Sequence, residues 1–203
     1  MATSVITLTE KIKREAEAHL TQSDRIMAGL IKTHGICRIG KRKRDPFDIL
    51  ATSIISQQLS VKAADTIEKR VRALVNAFEP VSVLSISHDA LRTAGLSNGK
   101  AKYLHALATH IVDGRLDFAV IKRCPDEQVI DMLTEVPGIG RWTAEMFLIF
   151  GLKRADILAT GDVALQRAVR NLYGSRKTLE SAGKKWRPYA SVASWYLWRS
   201  LEG

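Results

Sequence analysis

Cysteine is nearly absent. The chain carries two, Cys37 and Cys124, among 203 residues. They do not form a Cys-x-x-Cys pair, and no cysteine or histidine cluster accompanies them. A disulfide framework, a structural zinc and an iron–sulfur cluster therefore have no support. Two reduced thiols in a cytoplasmic protein are the expectation. Long apolar runs are missing as well. The stretch from Met1 to Leu20 is charged and helical in pattern, without the apolar segment of a secretory signal, and no run reaches membrane-spanning length. No membrane partner is expected, and the protein reads as soluble and intracellular. Strand-type alternation is confined to Val81-Ser-Val-Leu-Ser-Ile86, and neither internal repeats nor low-complexity segments occur.

What is present is a helical, basic chain. Hydrophobic residues make up 46% of it, enough for a packed core. Lysine and arginine total 31 against 21 acidic residues, a net charge of +10. The isoelectric point near 9.8 suits a polyanionic partner, because each neutralised phosphate releases counterions. Asp45-Pro46 gives a cap with proline at the first helical position, and Ile49, Leu50, Ile54 and Ile55 follow. Ser60 caps the next helix, whose apolar residues Ala64, Ile67, Val71, Leu74 and Phe78 recur at helical spacing. Ser87 is a further cap. Ser97-Asn98 opens a helix that runs through Tyr103, Leu107 and Ile111 to a stop at Asp113-Gly114. Asp126 starts another through Val129, Ile130 and Leu133. The pattern also predicts helices over 142–150, 163–172 and 184–201. The run Lys41-Arg-Lys-Arg44 reads as a solvated face, with a phosphate contact as the alternative.

The most informative stretch is Leu133-Thr-Glu-Val-Pro-Gly-Ile-Gly-Arg-Trp-Thr-Ala144. A helix ends, Pro137-Gly-Ile-Gly140 makes a tight turn, and a second helix starts at once. Gly138 and Gly140 are free to take positive φ and have no Cβ to obstruct a ligand. Successive N–H groups can then face one way and form an anion site at a helix N-terminus. An ordinary turn between packed helices would explain one of these glycines, but not the whole Pro-Gly-Ile-Gly-Arg string.

This stretch resembles the helix-hairpin-helix of base-excision DNA glycosylases, and Gly138-Ile-Gly-Arg-Trp-Thr-Ala144 is similar in particular to the 3-methyladenine DNA glycosylase II type. The resemblance extends over roughly residues 24–200. It implies an all-α, compact two-lobed glycosylase fold, with DNA and the flipped base bound in the cleft between lobes. A single unit is expected over 1–203, with the hairpin at about 126–150 and no additional N-terminal α/β domain. The hairpin backbone around Gly138, Ile139, Gly140, Arg141 and Thr143 would bind a DNA phosphate. Carbonyls of Thr134, Val136 and Ile139 would hold a monovalent cation, Na+ or K+, with no cofactor required.

Downstream lies Thr160-Gly-Asp-Val-Ala-Leu-Gln-Arg167. Taken alone, Asp162 is an N-cap. The resemblance makes it the catalytic carboxylate of the segment 160–167, and the two roles are compatible at the positive end of a helix dipole. Glycosylase/lyases of the endonuclease III and 8-oxoguanine types carry a Schiff-base lysine after the Gly-Ile-Gly-Arg string, whereas here Trp142 stands there. The amine for covalent strand cleavage is thus missing. Enzymes that work on a base flip it into an apolar or aromatic pocket. Trp142 and Trp195 are the candidate walls, the latter within Trp186-Arg-Pro-Tyr-Ala-Ser-Val-Ala-Ser-Trp195. Taken as bare tryptophans, both read as core, since most tryptophans in small helical proteins are. In Ile54-Ile-Ser-Gln-Gln-Leu-Ser60 the resemblance makes Gln58 the wedge that fills the vacated stack and puts Gln57 close to the pocket. Leucine is frequent at the wedge, so Gln58 departs from the usual pattern.

The implied activity is hydrolysis of the N-glycosidic bond of alkylated bases, 3-methyladenine and 7-methylguanine among them, to leave an abasic site in double-stranded DNA. The enzyme is expected to act as a monomer. Two alternatives remain at this point. A non-catalytic, structure-specific DNA binder would keep the hairpin without needing Asp162. A bifunctional glycosylase/lyase would need an amine that Trp142 does not supply.

Overall fold

Short polar side chains that accept backbone N–H groups set the helix starts. In the computed structural model, which describes residues 5–41 and 44–202, Thr9 caps Glu10–Ser23 (α1) and Asp24 caps Arg25–His34 (α2). Asp45 takes the Phe47 N–H at the head of Pro46–Ser56 (α3), with proline in the first turn. Ser60 caps Val61–Arg72 (α4), and Pro80–Ser85 (α5) starts on its own proline. Ser87 caps His88–Thr93 (α6), and Ser97 caps Asn98–Val112 (α7). Each such oxygen satisfies a donor that the helix itself leaves open. Phe118–Ile121 (α8), Asp126–Thr134 (α9) and Arg141–Met146 (α10) follow, and α10 runs on into a π-helical turn, Phe147–Gly151. Val163–Tyr173 (α11), Leu179–Gly183 (α12) and Ala190–Arg199 (α13) complete the order. Among the described residues the β structure is one isolated antiparallel bridge, Thr7 with Arg154. The chain is all-α, as expected.

The helices sort into two units. One comprises Arg44–Phe147; the other is built from α1, α2 and the chain from Leu148 onward. In the first, α3 packs on α4 and α7, and α5 on α7. Phe47, Leu50, Ile54, Leu104 and Leu107 form its buried centre. Phe78 lies past the end of α4, against Phe47 at 5.5 Å, with the Arg72 guanidinium 4.3 Å from its ring. Arg72 is in turn bonded to Asp48 and Glu68.

The second unit packs α13 on α1, α2 and α11. Two carboxylates there each collect more than one donor, which offsets the cost of burying polar groups. Asp24 caps α2 and also accepts from Tyr173 Oη at 2.8 Å and Trp186 Nε1 at 3.1 Å. Glu17 accepts from the Cys37 N–H at 2.8 Å and from Tyr196 Oη at 2.9 Å.

Three expectations about local structure are corrected. Val81–Ile86 is not strand-like: Pro80–Ser85 is a helical turn in which Val83 is buried while Val81 and Leu84 are exposed. The helix expected over 142–150 starts at Arg141 and changes to a π turn at Phe147. The helix expected over 184–201 is shorter. Pro188 has no N–H and disfavours helical geometry in Arg187, so α12 ends at Gly183 and α13 starts only at Ala190. Of the basic run at 41–44, Arg42 and Lys43 lie outside the described residues.

Candidate functional site

The hairpin joins α9 to α10. The Val136 N–H donates to the Leu133 carbonyl at 3.1 Å, and the Ile139 N–H donates to the Val136 carbonyl at 3.0 Å. Gly138 has φ +90°, the left-handed region that favours glycine, and a Cβ there would stand 2.3 Å from the ring of Tyr103. Gly140 differs from the expectation of positive φ. It is extended, at φ −92° and ψ 171°, and caps α10 with its backbone, without a side-chain bond. A Cβ on Gly140 would meet nothing within 4 Å, so this face of the turn is open.

The other residues expected at a phosphate are placed as follows. The Ile139 N–H is spent inside the turn and its side chain is buried. Thr143 is buried. The Arg141 guanidinium is held by Glu127 at 2.7 and 3.0 Å and by Glu145 at 3.2 Å. That pairing holds the Glu127 carboxyl below its ordinary range and raises Arg141. Trp142 is 47% exposed on α10.

The end of α3 lies beside this hairpin. Gln57, its C-cap, donates from Nε2 to the Gly138 carbonyl at 2.9 Å. Gln58 is exposed and has φ +57°. A non-glycine residue in that region is uncommon and costs free energy that its surroundings must offset. Lys100, near the start of α7, donates to the Ile55 carbonyl at 2.9 Å and to the Gln57 carbonyl. Burial lowers its pKa. Gln57, Gln58, Ser97, Lys100, Tyr103 and Gly138 line a depression of about 580 Å³. Lys100 and Tyr103 were not anticipated from the sequence. The one available signal was their i, i+3 spacing on a helix, which puts them on one face.

Asp162 is in the other unit, at the head of α11, and 6% exposed. Its Oδ1 accepts the Leu165 N–H at 2.8 Å, so the capping role is real. The same oxygen accepts from Trp198 Nε1 at 3.5 Å. The Trp198 ring centroid is 5.7 Å from that of Phe150, which lies on the π turn. Such turns gather at functional positions in helices. The aromatic group bonded to Asp162 is therefore Trp198, one turn beyond Trp195 on α13. Trp195 stands edge-on to Tyr196 at 4.9 Å, with the Arg199 guanidinium 6.0 Å from its ring. The arrangement at Asp162 can place a carboxylate and an aromatic surface against one small, electron-poor group.

Among the described residues no group of three His, Cys, Asp or Glu side chains could hold a metal ion. No helix among them is long and apolar enough to cross a membrane.

Residues 51–188 match the HhH-GPD superfamily, base excision DNA repair proteins. A DNA-3-methyladenine glycosylase of Schizosaccharomyces pombe is 30% identical over 197 residues, spanning 92% of this chain and 86% of that protein. The crystal structure of a Bacillus halodurans DNA-3-methyladenine glycosidase is similar at 37% identity and TM-score 0.81, covering 98% of this chain and 92% of that one. The structure of an S. pombe 3-methyladenine DNA glycosylase in complex with abasic DNA is similar at 30% identity and TM-score 0.84, covering 93% and 97%.

Proposed function

Because the chain belongs to the HhH-GPD superfamily of base excision DNA repair proteins, we propose that it is a DNA glycosylase that hydrolyses the N-glycosidic bond of alkylated bases and leaves an abasic site. The observation that carries the proposal is the buried Asp162 at a helix start, with the indole of Trp198 bonded to it and Phe150 beside that indole. Breaking the C1′–N bond sends its electron pair to the departing base and leaves positive charge on the sugar, as in glycoside hydrolysis. A carboxylate stabilises that charge and accepts the proton of the attacking water as oxygen bonds to C1′. Alkylated purines such as 3-methyladenine and 7-methylguanine carry a delocalised positive charge in the nucleotide, which aromatic faces attract. Trp198 and Phe150 join Trp195, in the same unit, as candidate walls for the flipped base.

On the other unit, the open face at Gly140 and the start of α10 supply the phosphate contact through backbone N–H groups. The guanidinium of Arg141, tied to its glutamates, orders the hairpin and leaves the phosphate to the backbone. Gln58 is the wedge in the vacated stack, and its left-handed, exposed position suits a residue that leaves its own surface. Backbone carbonyls of Thr134, Val136 and Ile139 are the donor type that suits a hard monovalent cation, which would add positive charge near the phosphate. Double-stranded DNA is the partner, and the enzyme acts as a monomer.

The test is release of 7-methylguanine from a methylated duplex, with the product strand analysed before and after alkali. Free base together with an alkali-labile but otherwise intact strand is expected. Borohydride added during turnover should trap no protein–DNA adduct, since Trp142 stands in place of the lyase lysine. A trapped adduct would favour the bifunctional reading, and binding without base release would favour a structure-specific DNA binder.

A further inference from the structure

The first turns of α7 touch both loops that the proposed function assigns to DNA. The Lys100 ammonium bonds the Ile55 carbonyl at 2.9 Å and the Gln57 carbonyl. One turn on, the Tyr103 ring fills the space over Gly138, where a Cβ would be 2.3 Å away. Gln57 closes the ring of contacts by donating to the Gly138 carbonyl at 2.9 Å. Helix, wedge turn and hairpin are thereby joined pairwise through one ammonium, one amide and one aromatic ring.

Capping alone does not account for Lys100. Cationic side chains often bond the last carbonyls of a helix, and the Ile55 carbonyl, inside α3, would satisfy that role. The second acceptor is different. Gln57 is the C-cap, and its carbonyl belongs to the peptide that leads into Gln58 at φ +57°. A strained, non-glycine left-handed residue persists only where its neighbours over-determine it. Fixing the carbonyl immediately before it does this.

We propose that Lys100 is a positioning residue, which fixes the Gln57 carbonyl and so holds the left-handed turn that presents Gln58 to the duplex. This rests on the reading of Gln58 as the wedge. Lys100 itself touches neither the base nor a phosphate in this scheme. Its effect on base excision passes entirely through Gln58.

The experiment is a double-mutant cycle of Lys100→Met, which keeps the apolar stem and removes the ammonium, with Gln58→Ala. The probe is a duplex containing 7-methylguanine with 2-aminopurine as its 3′ neighbour. Single-turnover excision, the rise in 2-aminopurine fluorescence on binding, the salt dependence of affinity and Tm are read for all four proteins. Lys100→Met should slow excision and reduce the fluorescence rise about tenfold when Gln58 is present, and by less than about twofold when it is absent. The slope of log affinity against log salt should not change.

Equal losses in both backgrounds would overturn the proposal, because Lys100 would then act elsewhere. A slope smaller by about one would overturn it in favour of a phosphate contact. A lower Tm with unchanged excision would reduce Lys100 to a helix cap. If Gln58→Ala alone excises and unstacks like the wild type, the wedge reading falls first and this inference with it. Should the Met variant fail to fold, Lys100→Gln, which keeps a donor for one carbonyl, enters the same cycle.

Discussion

Replacing Asp162 with Asn separates its observed cap from the catalytic charge proposed for it. In the structure its Oδ1 accepts the Leu165 N–H at 2.8 Å and the Trp198 indole N–H at 3.5 Å. Asparagine offers an oxygen at the same place, and the two residues are about equal as N-caps. The stability loss should therefore stay within about 1 kcal/mol, and the Trp198 contact should persist. What disappears is the negative charge and the capacity to take a proton from water. Each is worth roughly 10² in rate, and a hundredfold loss corresponds to about 2.7 kcal/mol of transition-state stabilisation. Single-turnover release of 7-methylguanine by Asp162→Asn should fall by at least that factor. Affinity for the duplex should be kept or slightly improved, since a negative charge near phosphates is gone. The assay belongs well below the Tm of both proteins, with folding checked by circular dichroism. The loss should be larger for a neutral lesion such as hypoxanthine, because a cationic base is already an activated leaving group. Near wild-type release of both bases by a folded Asn variant would refute the mechanism.

The two hairpin glycines should respond in opposite ways. Gly138→Ala must adopt φ +90° and push a Cβ to within 2.3 Å of Tyr103; the conformational term alone is about 1–2 kcal/mol, so Tm should fall clearly. Gly140→Ala, with negative φ and an open site, should change Tm little and weaken DNA binding severalfold or more; unchanged affinity would remove the turn from the interface. Burial pushes the Cys37 thiol from 9.0 up to about 11. Its folded pKa is thus raised, so its contribution to stability is complete below about pH 9 and is lost as pH climbs towards 11. Denaturant midpoints should therefore decline less steeply over that window in Cys37→Ala than in the wild type, and parallel slopes would contradict the burial argument.

The parts legible in the sequence are those set by neighbours along the chain. Asp45, Ser60, Ser87 and Ser97 each cap the helix they precede, because a cap is a bond to a residue two or three positions on. The Pro-Gly-Ile-Gly hairpin could be located for the same reason. Its finer geometry could not: Gly138, packed against Tyr103, is left-handed and Gly140 is extended. The Val81–Ile86 alternation misled because period two means a strand only where another strand pairs with it, and in this unit α5 packs on α7 instead.

The site residues show the same division more sharply. Asp162 carries its local signal, a cap before an amphipathic helix, and its second contact is invisible from that signal. The bond from Trp198 spans 36 residues, and those from Lys100 to the α3 carbonyls span 45 and 43. The acceptors of Lys100 are backbone oxygens, which every residue has, so no side-chain pattern could have marked them. Trp195 and Trp198 occupy adjacent turns of one helix, and composition favours neither. What separates them is position along that helix: Trp198 reaches Asp162 at the head of α11, whereas Trp195 stands against Tyr196. Phe150 was read as the last residue of an ordinary helix, yet the π turn at 147–151 changes the direction in which it projects and puts it beside Trp198. Local rules place the capping group, whereas the aromatic ring that stands against it is decided by helix packing and can change from one turn to the next without altering the sequence pattern.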